Sequence, residues 1–296
     1  LPPSEAYTLV PALTLARRIT KVNLLMAYAD TLPKQRPFGA TARPDAWWVQ
    51  PLFVFLGFAA FIVYSTWAAF QGNHYWLSAG GADYLSPFYS PELWGSSPHA
   101  WFGAKPGFWP SFIPFSPALL ILWAPGGFRF TCYYYRGAYY KAFWADPINC
   151  AVGEPRKKFL GERYFPLIIQ NVHRYFMYIA LGFIVLLAFD TFKAFWFTNP
   201  LTGKEQFGVG VGTLIMVANV FLLSSYTLGC HSLRHLVGGF LDAKSKAPSC
   251  AKTYNCVTCL NKSHMMWAWL SLFSVGFTDL YIRLCSMGIW HDYRIF

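Results

Sequence analysis

The stretch TLGCHSLRHL, residues 227–236, closes a long apolar run (207–229) with one thiol and two imidazoles. His231 and His235 stand at i and i+4, so both project from one helical face, where two imidazoles can grip a single metal ion. Cys230 points about 100° away from His231 by the helical repeat and suits the same ligand set less well. Leu233, Leu236 and Val237 cover the other faces. The plain structural alternative is that Arg234 and His235 are interfacial and that His231 hydrogen-bonds a neighbouring helix. Ionisable groups at membrane depth are functional candidates by default.

Three prosthetic groups fit such residues to different degrees. Bis-histidine haem needs two histidines on facing helices at similar depth and has no use for thiolates. Zinc on Cys2His2 is chemically possible and would be structural. A Rieske-type 2Fe-2S cluster needs two thiolates on one iron and two imidazoles on the other. That stoichiometry suits Cys132, Cys150, His231 and His235, with His173 and Cys230 in reserve. The Cys-x-His and Cys-x-x-His loops of soluble Rieske proteins are missing. Cys250, Cys256, Cys259 and His264 form C-x5-C-x2-C-x4-H, a zinc-like spacing without a second CxxC to complete it. The run CYYYRGAYYKAFW (132–144) reads as an interfacial aromatic belt or as part of a quinone pocket. A quinone needs apolar walls and donors to its two carbonyls. Arg136, Tyr139, His173, Arg174, Tyr175, His264 and Trp267 are the candidates.

The elements that must position these residues are membrane helices. The chain of 296 residues is 55% hydrophobic and 12% charged, against about a quarter charged in soluble domains. Apolar runs of membrane-crossing length, about 20 residues, lie at 51–70, 111–143, 166–190, 207–230 and 265–289. The expected fold is therefore an all-α integral membrane bundle of five transmembrane helices. Pro110, Pro114 and Pro117 interrupt the start of the second run, and Ala124-Pro125-Gly126-Gly127 breaks its middle. A cytoplasmic segment 1–50 precedes the membrane domain 51–296, and its residues 4–29 read as an amphipathic interfacial or partner-docking helix. With five spans, one side of the membrane carries 18 Lys and Arg and the other 5. The positive-inside rule then places the N-terminus in the cytoplasm.

The net charge of +11 follows from basic loops meeting anionic lipid. Nucleic acid is excluded as a partner because no basic stripe stands apart from the membrane edges. The same topology gathers Cys132, Cys150, His173, Cys230, His231, His235, Cys250, Cys256, Cys259 and His264 on the reducing side. Disulfides prefer the other side, so these thiols read as ligands or as plain buried residues. Asp279 and Arg283, at i and i+4 in the last run, are expected to pair.

The segment HSLRHL (231–236) at a helix end resembles the membrane-anchor subunits of succinate dehydrogenase and fumarate reductase. In haem-bearing anchors of that family the axial histidine lies seven residues before the histidine of an Arg-His pair. Counting back from His235 reaches Leu228. The five-helix plan together with TCYYYRGAYY, NCAVGEP, QNVHRY and GCHSLRHL resembles the actinobacterial type F anchor of complex II over roughly residues 108–290. The resemblance implies a haem-free anchor with a membrane-embedded Rieske-type cluster. It also implies a flavoprotein partner that oxidises succinate and an iron–sulfur partner that passes electrons on.

The sequence expectation is thus a quinone-reducing anchor of a succinate:quinone oxidoreductase in the bacterial plasma membrane, with its soluble partners on the cytoplasmic side. Cys132 and Cys150 would hold the ferric iron, and His231 and His235 the redox-active one. The alternatives are a haem b anchor using His173, His231, His235 or His264, and a transporter or channel subunit. Assembly into a higher oligomer is left open.

Overall fold

The structure is a computed structural model and describes residues 37–156, 163–165, 167–199, 202–239 and 248–296. The expected amphipathic helix at 4–29 lies outside the described residues. Four helices are long and apolar enough to cross a membrane: α1 (Val49–Gln71), α5 (His173–Lys193, entered through a 3-10 turn at Leu167–Val172), α6 (Val211–Leu228) and α9 (His264–Ser286). At 1.5 Å per residue, the 23 residues of α1 span about 35 Å. Phe53, Val63, Val185 and Phe221 are exposed on these helices, as lipid-facing side chains should be where no water competes.

The expectation of five transmembrane helices is corrected to four. The run 111–143 is not one helix. It forms α2 (Pro117–Ile121), α3 (Trp123–Phe130), α4 (Tyr133–Tyr139) and a π turn (Tyr140–Trp144), and none of these reaches membrane length. The breaks have local causes. Pro117 opens α2 and Pro125 falls in the first turn of α3, positions where a missing N–H is tolerated but an earlier turn cannot continue. Cys132 is extended and starts α4 afresh. The broken segment begins beside the end of α1, where a Cβ on Gly72 would meet the Phe115 carbonyl, and ends near the start of α1, where Asn149 donates to the Trp47 carbonyl. With the second run broken into short helices, the alternation of sides from which a cytoplasmic N-terminus was expected no longer follows.

Two further helices, α7 (His231–Gly238) and α8 (Pro248–Lys262), follow α6 before α9 returns. Opposite them, segment 72–116 folds as a cap with one two-stranded ribbon, β1 (Trp76–Leu77) against β2 (Tyr84–Leu85). A second ribbon, β3 (Trp196–Thr198) against β4 (Glu205–Phe207), joins α5 to α6. Gly72 ends α1 in the left-handed conformation (φ 63°) that lets the chain turn into the cap.

Polar contacts knit this capped end. Asp279 and Arg283 of α9 are fully buried and pair at 3.3 Å. Tyr64 of α1 donates to Asp279 at 2.6 Å, and Arg283 donates to the Asn73 carbonyl at 2.8 Å. Asp292 accepts from Tyr84 of the cap, Tyr281 of α9 and the Gly212 N–H of α6, at 2.7–2.8 Å. At the other end of the bundle Phe58, Phe128, Tyr135, Met177, Tyr226 and Leu272 form an aromatic-rich core.

Candidate functional site

The end of the bundle away from the cap carries the chemistry. Four helices begin there with a thiol or an imidazole at the first turn. Cys132 precedes α4 and Cys230 precedes α7, both in extended conformation. His173 is the first residue of α5 and His264 the first of α9. Free N–H groups and the helix dipole make each such start favourable for negative charge.

These residues meet as two thiol–imidazole contacts. His173 Nε2 lies 3.1 Å from Cys230 Sγ, and His264 Nε2 lies 3.6 Å from Cys132 Sγ. His173 is fixed on its other nitrogen by Thr131 Oγ1 at 2.9 Å and stacks on Phe128 at 4.8 Å. His264 stacks on Tyr226 at 5.0 Å, and its Nδ1 is buried without a hydrogen-bond partner among the described residues. Cys132 and Cys230 are both 2% exposed. Burial, with the Cys132 thiol as the next cause, pushes the Cys230 thiol up to about 11. It is a thiol, not a thiolate, at neutral pH unless a cation sits against it. A cavity of about 540 Å³ is lined by all four residues together with Arg136 and His231.

The other expected site residues lie around or away from this cavity. His231 and His235 face each other, Nε2 to Nε2 at 2.9 Å. Burial, then the neighbouring His235 and Arg234, lowers the His231 pKa. Cys150 is exposed in the loop beside the start of α1, where its carbonyl accepts from Arg43. Arg136 stands over the Tyr133 ring at 4.5 Å. Tyr139 stacks on Phe130 and accepts from Gln170 Nε2 at 2.6 Å. Arg174 and Tyr175 are exposed on α5. Trp267 meets Phe221 edge-on, with its indole N–H buried and unpartnered among the described residues. The CxxC-like run is helical in α8, and Cys250, Cys256 and Cys259 are exposed on it.

The expectation of a Rieske-type cluster on Cys132, Cys150, His231 and His235 is therefore corrected. The structure divides those residues among the buried cavity, its exposed rim and a separate loop. Among the described residues, no group of three or more His, Cys, Asp or Glu is arranged to hold a metal ion.

Sequence reasoning did not single out two residues near the cavity, Thr131 and Arg129. Thr131 orients His173. Arg129 donates to Tyr135 Oη, Ser271 Oγ and the Ala268 carbonyl. Its guanidinium lies over the Tyr226 ring at 4.7 Å. A lone arginine inside an apolar run was the signal that marked Arg129.

A family model described as "Actinobacterial succinate dehydrogenase subunit SdhC" matches residues 49–288. The chain belongs to this family. It is a membrane-integral subunit of a succinate dehydrogenase, or complex II, assembly and crosses the membrane several times. A chain of the solved "Mycobacterium smegmatis Sdh1 complex in the apo form" is 42% identical, with a TM-score of 0.78 over 90% of this chain and 97% of that one. No curated protein matched. The SdhC match spans all four long helices and the thiol–imidazole cavity.

Proposed function

We propose that this chain is the quinone-reducing anchor of a succinate:quinone oxidoreductase in the bacterial plasma membrane. A flavoprotein partner oxidises succinate, and an iron–sulfur partner delivers the electrons to the end of the bundle that bears the thiol–imidazole cavity. The observation that carries this reading is the convergence of Cys132, Cys230, His173 and His264 at four helix starts, the first three buried and His264 half-buried, in a chain of the succinate dehydrogenase family. Buried polar groups are costly, so holding three of them with a half-buried fourth beside one cavity argues for use. The same end carries Arg136, Lys141, Arg174, Arg234, Lys252 and Lys262. That basic surface fits the cytoplasmic side and a soluble partner docked there.

Within this reading the chain's own groups have separable tasks. Thr131 holds the His173 ring so that its Nε2 faces Cys230. Arg129 places a fixed positive charge behind Tyr226, which favours electron arrival nearby. Arg136 and His264, expected from the sequence to face quinone, line the cavity. The test is turnover by the assembled complex. His173→Ala with His264→Ala should abolish succinate-to-quinone activity and leave dye-linked succinate oxidation intact. Quinone reduction at the parental rate would sink the proposal.

A second reading, an anchor carrying haem b, has one observation in its favour. Two imidazoles, buried His173 and half-buried His264, line one cavity and are the residues that would hold the iron. Haem would supply one-electron storage between partner and quinone. Binding it requires each Nε2 to leave its thiol contact. A reduced-minus-oxidised visible spectrum of the purified complex decides the matter, since absent haem bands remove this reading.

A further inference from the structure

His231 and His235 take no part in the two thiol–imidazole contacts, which belong to His173 and His264. Both are exposed on α7, at the rim of the cavity that His231 helps to line. Their Nε2 atoms face each other at 2.9 Å, with the ring planes 82° apart. As a hydrogen bond, this contact needs one ring to donate its Nε2 hydrogen and the other to accept it. Because both rings are exposed, water can meet either demand. The pairing is therefore not required to satisfy a buried group.

Two features make the pair a preformed clamp. The first is its backbone. Leu233 is buried in the core, and Arg234 donates to Tyr254 Oη at 2.8 Å and to Thr258 Oγ1 at 3.2 Å. The Arg234 guanidinium also lies over the Tyr254 ring at 5.2 Å. These contacts fix α7 on α8 and draw the Arg234 charge toward α8. A clamp fixed in this way loses little freedom when it binds. The second feature is the nitrogen separation. Two imidazole nitrogens, each about 2.0–2.1 Å from a metal ion and 90° apart, lie about 2.9 Å from one another, against about 3.4 Å at the tetrahedral angle. The observed separation is that of two adjacent positions on a tetragonal ion.

We propose that His231 and His235 form a surface site for a divalent transition-metal ion of tetragonal preference, copper(II) or nickel(II), with zinc(II) held less tightly. Imidazole is a suitable ligand for all three, and copper(II) binds most tightly in the general affinity order. The chain supplies two Nε2 donors and water fills the remaining positions. A two-donor site agrees with the finding that no group of three or more His, Cys, Asp or Glu is so arranged among the described residues. Each ring binds in its neutral form with the proton on Nδ1, so the ring that carried its proton on Nε2 changes tautomer. The inference does not depend on whether the assembled complex reduces quinone.

The test uses the tag-free assembled complex, oxidised, with its exposed thiols blocked by maleimide so that they cannot compete as ligands. Copper(II), nickel(II) and zinc(II) are each titrated against a chromophoric chelator, and the bound copper is examined by EPR. The parental complex should take up one copper(II) per chain at this site, with hyperfine structure from two nitrogens, and should bind zinc(II) more weakly. His231→Gln and His235→Gln should each weaken binding at least about tenfold, since losing a ligand costs no less than losing an outer partner of one. His235→Asp, which returns a metal-binding oxygen, should recover part of the affinity and show one nitrogen fewer. The nitrogen count is read on the parental complex and so does not depend on any variant assembling. A parental complex that binds no copper, zinc(II) bound more tightly than copper(II), or parental affinity in both glutamine variants would overturn the assignment.

Discussion

At the scale of single residues, partners decide what a titratable group does. Asp83 in the cap accepts from His99 Nε2 at 2.7 Å and from the Trp76 indole at 2.8 Å. Burial alone would raise its pKa, but these hydrogen bonds and the charge of His99 outweigh it and hold the pKa below the usual carboxylate value. An acid with a lowered folded pKa contributes stability above its unfolded pKa, and that contribution is lost as pH falls through the folded value. The cap should therefore loosen below about pH 4. Because Asp83 is 39% exposed, solvent screening limits the effect to under about 1 kcal/mol. Hydrogen exchange of residues 75–100 against pH reads this directly, and Asp83→Asn should flatten the profile in that range. The thiol and imidazole types were readable from the sequence, and so was the end of the bundle they occupy. Their pairing was not. Helical spacing joined His231 to His235, whereas the buried contacts join residues 42 to 132 positions apart along the chain, such as Thr131 with His173 and Cys132 with His264. Contacts of that kind depend on how helix starts are stacked, which no local spacing encodes.

At the scale of elements, two features of the sequence had opposite fates. The four long helices were legible because each is an unbroken apolar run of 18 to 26 residues, and a lipid environment leaves such a run few other structures. Segment 111–143 was also apolar, but its prolines, glycines and Cys132 cut it into short helices, so hydropathy overstated its continuity. The i,i+4 pairing of Asp279 with Arg283 was expected, whereas its full burial beneath the cap was not. That burial sets a prediction. Asp279→Asn removes one partner and leaves an uncompensated buried guanidinium, which should cost about 3–5 kcal/mol. The thermal midpoint of the complex should fall by several degrees. Asp279→Asn combined with Arg283→Met should recover much of the loss. A midpoint unmoved by the single change would show that the pair carries no net weight.

At the scale of the whole molecule, the seven cysteines divide by position. Cys132, Cys230 and Cys285 are buried, while Cys150, Cys250, Cys256 and Cys259 are exposed. A maleimide applied to the native complex should spare the first three until denaturation. It should reach the others wherever a partner subunit does not cover them. Mass spectrometry before and after denaturation gives the count. Early labelling of Cys132 or Cys230 would mean that the cavity at the helix starts opens freely to solvent.

The carboxylate of Asp292 bears on how the protein is made. It ties together Tyr84, Gly212 and Tyr281, three residues that all emerge from the ribosome before it does. The cap, α6 and α9 consequently have to be inserted and held near their final positions without this clasp, and they are fastened only when residue 292 arrives. The clasp on the capped face therefore closes only after α9 has entered the membrane.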